Sequence, residues 1–320
     1  MDELGIIEAI RSAFYSQKAD LSDDVAFVKR GRGYLVLKAD MFVKSTDLPP
    51  GMTLRQASRK AVVACISDLL CKGASPWGFL VSLGLPRDFA SRRDVRLISQ
   101  GLRDASVQYD VPILGGDVNE AEDLVIDVSM AGYAERMVRR SGSKAGDVLV
   151  STGPFGLTAL GLGHLLRRGP LPRRLAKSAL ASVYEPAPKK GLCKALVEHG
   201  IVNASMDSSD GLAITLNEMA NQSSKEFIVT SLPADADFLR ECDVAGLDSF
   251  DLIMHGGEEY EAVLSVPLAK LRAAQGLASE LGMKLFPFGR VRQGSAGVKY
   301  SPRGGGKARG VAAEGWVHLR

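Results

Sequence analysis

Hydrophobic and polar positions change their period several times along the chain. Residues 3–15 carry apolar side chains at helical spacing, and residues 53–72 are apolar around much of the helical circumference, which predicts a largely buried helix. Residues 34–40 form a short apolar run typical of a strand, and this run ends on an acidic residue. Because helical and strand-like segments follow one another from end to end, the pattern predicts an α/β fold.

The rest of the chain continues this alternation. We predict further strands at residues 79–85, 124–134, 148–151, 227–230, 262–266 and 284–291, and further helices at residues 94–109, 157–167, 189–199 and 210–221. Ser208 or Ser209 is expected to cap the last of these helices. Gly115 and Gly116 follow an apolar segment and predict a turn whose amides can approach an anion, and residues 303–310 predict an exposed loop.

The length of the chain favours two domains. Its 320 residues exceed one typical core, because a domain usually contains about 100–200 residues. A basic segment leads into small and polar residues at 141–147, which are typical of a linker or a turn. We therefore predict an N-terminal domain at residues 1–139 and a C-terminal α/β domain at residues 140–320.

Composition excludes several classes of protein. The net charge of +3 is too small to indicate a nucleic-acid partner. No window approaches about 18 consecutive apolar residues, and the N-terminal residues lack a signal pattern, so we expect no membrane span. The cysteines form no C-x-x-C pair, which favours a reducing cytoplasm over a disulfide framework or a zinc site. They are Cys65, Cys71, Cys193 and Cys242.

Aspartates stand beside glycine, serine or the ends of predicted elements in five separate segments. Any single one is ordinarily a cap, a turn or a salt bridge, but their recurrence predicts a Mg²⁺ site for phosphates, since Mg²⁺ prefers hard oxygen ligands. Asp68 interrupts an apolar stretch of the buried helix, and we expect a cation to face it because an unpaired buried carboxylate is costly. The candidate ligands are Asp23, Asp24, Asp40, Asp68, Asp117, Asp207 and Asp210.

Other motifs refine this hypothesis. The chain contains neither G-x-x-x-x-G-K-[ST] nor G-x-G-x-x-G, so the P-loop and the dinucleotide fingerprint do not apply. The segment HGGEEYE at residues 255–261 places three glutamates beside a tight turn. The four histidines show neither metal-ligand spacing nor the context of a catalytic triad.

Taken in order, these motifs resemble the thiamine-monophosphate kinase family from about residue 23 to residue 316. They are SDDVA (22–26), KADMFVKSTDLPPGM (38–52), ISDLLCKGASP (66–76), LGGD (114–117), RSGSKAGDVLVSTG (140–153), PAPKKG (186–191), MDSSDGL (206–212) and HGGEEYE (255–261). The resemblance implies a two-domain fold like that of aminoimidazole ribonucleotide synthetase, with a C-terminal α/β domain. Its N-terminal sheet would pair with that of a second subunit in a homodimeric β-barrel, and ATP would lie between the two domains.

The resemblance also implies a reaction and a set of site residues. ATP would transfer its γ-phosphoryl group directly and in line to thiamine monophosphate, giving thiamine diphosphate, with several Mg²⁺ ions held by the aspartates named above. The implied ATP contacts are Gly116, Asp117, Arg140 and Ser209. The implied substrate contacts are Asp47, Glu258 and Trp316.

Departures from the family pattern keep alternatives open. Lys38-Ala39 stands where many members have Ser-Thr, and Asp47 stands where a histidine is expected. A related enzyme with a different acceptor, similar to aminoimidazole ribonucleotide synthetase, is one alternative, and a non-catalytic nucleotide-binding dimer is another. Selenophosphate synthetase is disfavoured because no reactive cysteine precedes Asp23, and the hydrogenase maturation protein because the chain ends on Arg320 instead of cysteine.

Overall fold

A computed structural model describes residues 3–13, 23–302 and 307–317. The first part of the chain forms a five-stranded sheet in the order β1-β2-β5-β3-β4, where only β3 and β4 pair in parallel. Its strands are β1 (Ala26–Arg30), β2 (Gly33–Val43), β3 (Ser75–Leu85), β4 (Ile113–Glu120) and β5 (Val125–Ala134). The helices of this part are α1 (Glu3–Ala13), α2 (Lys44–Asp47), α3 (Leu54–Cys71) and α4 (Arg92–Tyr109).

Helix α3 is the central element of this part. The Thr53 side chain accepts the amide of Gln56, and the Gln56 side chain accepts the amide of Thr53, so a capping box fixes where the helix begins. Helix α4 packs closely on α3, because a Cβ on Gly101 would lie only 1.9 Å from the carbonyl oxygen of Arg55. The apolar side of α3 covers the inner face of the sheet, which carries Val36 and Val128 in the core.

The second part forms a seven-stranded mixed sheet in the order β12-β11-β8-β10-β6-β9-β7. Its strands are β6 (Asp147–Ser151), β7 (Ala204–Ser208), β8 (Glu226–Val229), β9 (Glu261–Pro267), β10 (Phe286–Arg292), β11 (Gly297–Tyr300) and β12 (Arg309–Val311). Its helices are α5 (Leu157–Leu165), α6 (Arg173–Tyr184), α7 (Leu192–Glu198), α8 (Leu212–Ser223), α9 (Ala236–Val244), α10 (Ser249–Met254) and α11 (Leu271–Glu280).

This second sheet is buried on both faces, unlike the first. Leu149 of β6 packs into one hydrophobic cluster and its neighbour Val150 into another, as alternation along a strand requires. Helix α3 connects the two parts, since it contacts β2 and β5 of the first sheet and β7 and β9 of the second. None of the helices in the described residues is long and apolar enough to cross a bilayer.

The α/β alternation is confirmed, with corrections to individual elements. Gly115 and Gly116 do not form a turn but lie within β4, where a Cβ on Gly116 would meet the carbonyl oxygen of Val81 at 1.9 Å. Neither predicted serine caps α8, because Gly211 precedes this helix without a side-chain cap. The elements that were not predicted are the helices α2, α6, α9, α10 and α11 and the strands β1, β4, β7, β11 and β12. Residues 309–311 form β12 instead of a loop, while residues 303–306 lie outside the described residues.

The predicted division at residues 139 and 140 lies between β5, the last strand of the first sheet, and β6, the first strand of the second. It stays a prediction, since α3 is packed against both sheets.

Candidate active site

Five buried or half-buried aspartates converge where α3 passes between the two sheets, and we call them the acid cluster. Asp68 projects from α3, Asp40 from the inner face of β2, and Asp207 from β7; these three form the Asp68 end. The other two precede β1 and form the Asp23–Asp24 end. Four segments distant in sequence are therefore brought together.

Carboxylates of the Asp68 end repel one another. Burial raises the pKa of Asp68 well above its usual range, and the nearby carboxylate of Asp207 raises it further. Burial and the carboxylate of Asp24 raise the pKa of Asp207, although Ser67 donates a hydrogen bond to Asp207 at 2.5 Å. Burial also raises the pKa of Asp40, and Lys38 offsets this only in part.

The expected cation opposite Asp68 is present. The Nζ of Lys38 lies 2.8 Å from Oδ2 of Asp68, which confirms that the acid in the apolar helix is paired. The family departure at residue 38 therefore brings an ammonium group into the acid cluster.

Two further cations face the Asp23–Asp24 end. The Nζ of Lys72 lies 2.7 Å from Oδ1 of Asp23 and 2.5 Å from Oδ2 of Asp24, and it donates to the carbonyl oxygen of Ser205 at 2.7 Å. The backbone amide of Arg140 donates to Asp23 at 3.2 Å, and its guanidinium contacts Asp24. Burial alone would lower the pKa of Lys72, but the neighbouring acids raise it above its ordinary value, so this side chain stays charged.

The donor chemistry of the Asp68 end fits Mg²⁺, because its three carboxylates share the single ammonium of Lys38. Where the two ends of the acid cluster meet, one carboxylate oxygen of Asp24, one of Asp207 and the sulfur of Cys71 lie within 4.8 Å of one another. Burial raises the pKa of the Cys71 thiol well above its usual range, so Cys71 remains a protonated thiol and the oxygens are the relevant donors. Raised carboxyl pKa values mean that the chain's own cations do not fully compensate the buried acids, and a divalent cation would supply the missing charge.

A second group of predicted residues meets beside the acid cluster, in what we call the Glu258 loop (residues 255–260). The amide of Glu258 donates to the carbonyl oxygen of Ser209 at 2.5 Å, and the amide of Trp316 donates to that of Asp210 at 2.9 Å. A Cβ on Gly257 would lie 2.7 Å from the carbonyl oxygen of Ser209, so this close approach requires glycine. The predicted substrate residues Glu258 and Trp316 thus flank the same loop after β7.

Two buried side chains hold the Glu258 loop. The ammonium of Lys60, on α3, contacts the carboxylate of Glu258, and only 2% of the lysine side chain is exposed. Glu259 accepts hydrogen bonds from the amide of Gly156 at 2.6 Å and from the hydroxyl of Thr158 at 2.9 Å. Burial raises the pKa of Glu259 to about 7 despite these donors.

The comparisons with known proteins agree with this geometry. Residues 22–134 match the family model described as AIR synthase related protein, N-terminal domain. A thiamine-monophosphate kinase of Nitrosopumilus maritimus is 34% identical over 325 residues, covering 100% of this chain and 99% of that relative. The chain belongs to the thiamine-monophosphate kinase family.

Two further members of the thiamine-monophosphate kinase family support this assignment. The enzyme of Pyrococcus abyssi is 33% identical over 95% of this chain and 92% of its own length. The solved structure of AaThiL complexed with AMPPCP and TMP superposes with a TM-score of 0.85 at 25% identity, over 99% of this chain and 97% of that chain. The resemblance predicted from the motifs and the mixed α/β fold with two sheets are confirmed.

Not every residue expected from the thiamine-monophosphate kinase pattern joins the acid cluster. Asp117 lies on the exposed edge strand β4 and pairs laterally with Ser82 of the outer face, whereas Asp40 pairs with the core residue Val128. Side chains alternate along strands, so Asp117 and Asp40 lie on opposite faces of the sheet. In the part of the chain that the structure describes, Asp117 is thus separated from the cluster. Gly116, also on β4, is exposed.

Other members of the site are placed differently from the family expectation or were not foreseen. Asp47 ends the short helix α2 and accepts the amide of Val43 at 2.7 Å, and its charge contributes to the raised pKa of Asp40. The motif position Ser22 lies outside the described residues. Lys60 and Lys72 were missed, although a lysine inside or just after a largely apolar helix is itself a signal of a buried acidic partner.

Proposed function

We propose that this chain transfers the γ-phosphoryl group of ATP to the phosphate of thiamine monophosphate. The observation that carries the proposal is the convergence of the acid cluster and Arg140 beside the loop that bears Glu258. Membership of the thiamine-monophosphate kinase family supports the same reaction, as does the similarity to AaThiL complexed with AMPPCP and TMP.

The Asp68 end of the acid cluster is the proposed Mg²⁺ site. Asp40, Asp68 and Asp207 would hold the ions, with Asp210 on the adjoining loop as a further ligand. Mg²⁺ would neutralise the negative charge of the phosphates and of the transition state for their transfer. The chain itself contributes position: Arg140, anchored on Asp23 and Asp24, presents a fixed guanidinium to the same region.

ATP would lie between the acid cluster and the loop after β7. Ser209 lies on that loop, beside the Glu258 loop, and is a proposed phosphate contact. Gly116 and Asp117 stay proposed ATP contacts on β4. They lie at the exposed edge of the first sheet, and their contribution requires that the nucleotide reach this edge.

Glu258 and Trp316 are the proposed acceptor contacts. The thiazolium ring of thiamine monophosphate is cationic, and a carboxylate and an aromatic face both attract a cation. Part of the Glu258 side chain (28%) and half of Trp316 (51%) are exposed, so both groups can meet a ligand from solvent. Asp47 remains a proposed acceptor contact. Its charge acts on Asp40, so Asp47 also lies near the proposed metal ligands.

The outer face of the first sheet supports a homodimer. Its strands expose large apolar side chains, and β4 is an edge strand exposed along its whole length. A second copy covering this face would bury the patch and pair or protect the edge. The exposed residues on this face include Leu37, Met41, Leu80 and Tyr133.

We also propose that the enzyme works in a reducing cytoplasm. The four cysteines are free thiols and all are buried, which agrees with a compartment that does not form disulfides.

A direct assay tests the reaction. Purified protein is incubated with ATP, Mg²⁺ and thiamine monophosphate, and the products are separated by chromatography; we expect thiamine diphosphate and ADP in equal amounts. Parallel reactions replace thiamine monophosphate with thiamine or with an aminoimidazole ribonucleotide precursor. Product from the ribonucleotide precursor alone would favour the alternative acceptor, whereas ATP binding without any product would indicate a non-catalytic nucleotide-binding dimer.

A further inference from the structure

We propose that the Lys72 ammonium is a resident cation of the Asp23–Asp24 end, so that these two carboxylates do not bind a divalent ion. Divalent ions then bind only at the Asp68 end of the acid cluster. The inference rests on the proposed Mg²⁺-dependent function and deepens it, because it removes Asp23 and Asp24 from the metal ligands that the sequence predicts.

The ammonium of Lys72 lies between the two carboxylates of this end. An ammonium group carries three N–H donors, and three oxygens surround this one at 2.5–2.7 Å, from Asp23, Asp24 and Ser205. The side chain of Lys72 is fully buried, and only 3% of Asp23 and 5% of Asp24 are exposed. Solvent therefore cannot compete for these oxygens, and a divalent ion could take them only by displacing the ammonium.

Charge balance separates the two ends of the cluster. At the Asp23–Asp24 end, the two buried carboxylates face two cations, Lys72 and Arg140, so the formal charge of these four groups is zero. The partly exposed Glu218 also lies 3.6 Å from Arg140, on the solvent side of this end. At the Asp68 end, three carboxylates face the single ammonium of Lys38, which leaves two negative charges, the charge that one divalent ion neutralises.

Mn²⁺ binding to the full-length, metal-free protein tests the assignment, with free Mn²⁺ measured by electron paramagnetic resonance. Lys72→Met removes the ammonium and exposes Asp23 and Asp24 to the metal, so we expect one additional Mn²⁺ per chain. Lys60→Met is the matched control, because Lys60 is a similarly buried lysine of α3, the helix that Lys72 follows, and it faces Glu258. It should leave the number of bound ions unchanged. An unchanged number in Lys72→Met would overturn the proposal.

A second pair of variants does not depend on the folding of Lys72→Met. With Lys72 intact, Asp23→Asn should change the Mn²⁺ dissociation constant less than about threefold, whereas Asp207→Asn should weaken binding more than about tenfold. Equal weakening by both substitutions would refute the resident-cation assignment.

The Mn²⁺-binding test can fail or succeed independently of the proposed reaction, because Mn²⁺ binding is measured without thiamine monophosphate. If the wild-type protein bound no Mn²⁺, both the metal site and this inference would fail. If it bound Mn²⁺ with the expected pattern but made no thiamine diphosphate, the proposed reaction would fail and the inference would stand.

Discussion

Helix α3 and the residue that follows it carry two buried lysines with contrasting partners. Lys72 faces two carboxylates that are almost completely buried, whereas Lys60, twelve residues earlier, faces the single carboxylate of Glu258, of which 28% is exposed. At a rise of about 1.5 Å per residue, the two lysines are about 18 Å apart along the helix. The same helix thus organises a closed, charge-dense region and a more open one.

The difference matches what each region is proposed to do. Electrostatic interactions strengthen where water is excluded, so buried acids and cations suit the stabilisation of charge on transferring phosphates. An acceptor must enter and leave, so its contacts need a partly exposed carboxylate and ring. If this comparison is correct, substitutions in the closed region should change turnover most, and those in the open region should change substrate affinity.

The largest effect is expected for Asp68→Asn. This substitution removes a carboxylate from the proposed metal site and leaves Lys38 without its 2.8 Å partner. We expect kcat for thiamine diphosphate formation to fall by about 100- to 1,000-fold, the range found when one group that stabilises a transition state is lost. Steady-state kinetics with saturating ATP and Mg²⁺ measure the change.

Two controls accompany this variant. Asp104→Asn removes a carboxylate that pairs with the exposed Arg55 on the surface of α3 and α4, and it should leave kcat unchanged. Sedimentation should give the same homodimer for the wild-type protein and both variants, because none of these side chains lies on the outer face of the first sheet. A normal kcat in Asp68→Asn would exclude this aspartate from the metal site.

An intermediate effect is expected for Glu259→Gln, which should change how the stability of the protein depends on pH. Burial raises the pKa of Glu259 from 4.5 to about 7, so the folded protein binds a proton that the unfolded chain releases between these values. Stability from this group is therefore complete below pH 4.5, falls as pH rises towards 7, and is constant above. At about 1.4 kcal/mol per pKa unit, the loss is at most about 3 kcal/mol.

Urea unfolding at pH 5 and pH 8 measures this loss. Glutamine keeps an oxygen for the amide of Gly156 but does not titrate, so the variant should be less sensitive to pH than the wild-type protein by up to that amount. Glu226→Gln, which removes a carboxylate paired with Lys299, controls for the loss of one acid. Identical pH dependence in the wild type and Glu259→Gln would contradict the assignment.

In the closed region, the sequence predicted the aspartates but not the lysines that face them. A carboxylate inside an apolar helix must be compensated, so the need for a cation opposite Asp68 could be predicted. Its source, Lys38, could not, because the contact depends on how β2 lies against α3. That Asp117 lies on the opposite face of the sheet from Asp40 could not be predicted for a related reason: the strand pairing that assigns a residue to one face depends on partners far along the chain.

Fold prediction failed where local chemistry was ambiguous. Two adjacent glycines are typical of a turn, but Gly116 is required because β4 passes too close to Val81 of β3 for any side chain. Serines before a helix are typical caps, but Ser208 ends β7 as a fully buried residue, and α8 begins only after Gly211. In both cases a neighbouring strand decided the structure, and no local pattern contains that information.

The smallest effect is expected for Trp316→Ala. The ring is half exposed, and the backbone amide of this residue, not its ring, makes the hydrogen bond to Asp210, so the fold should be unaffected. A cation–π contact of about 1 kcal/mol with the thiazolium corresponds to an increase of about fivefold in KM for thiamine monophosphate. The KM for ATP and kcat should change little, and Trp316→Phe, which keeps an aromatic face, should recover most of the affinity. A fall in kcat as large as that of Asp68→Asn would place Trp316 among the groups that act on the phosphates, and the contrast between the two ends of α3 would then be wrong.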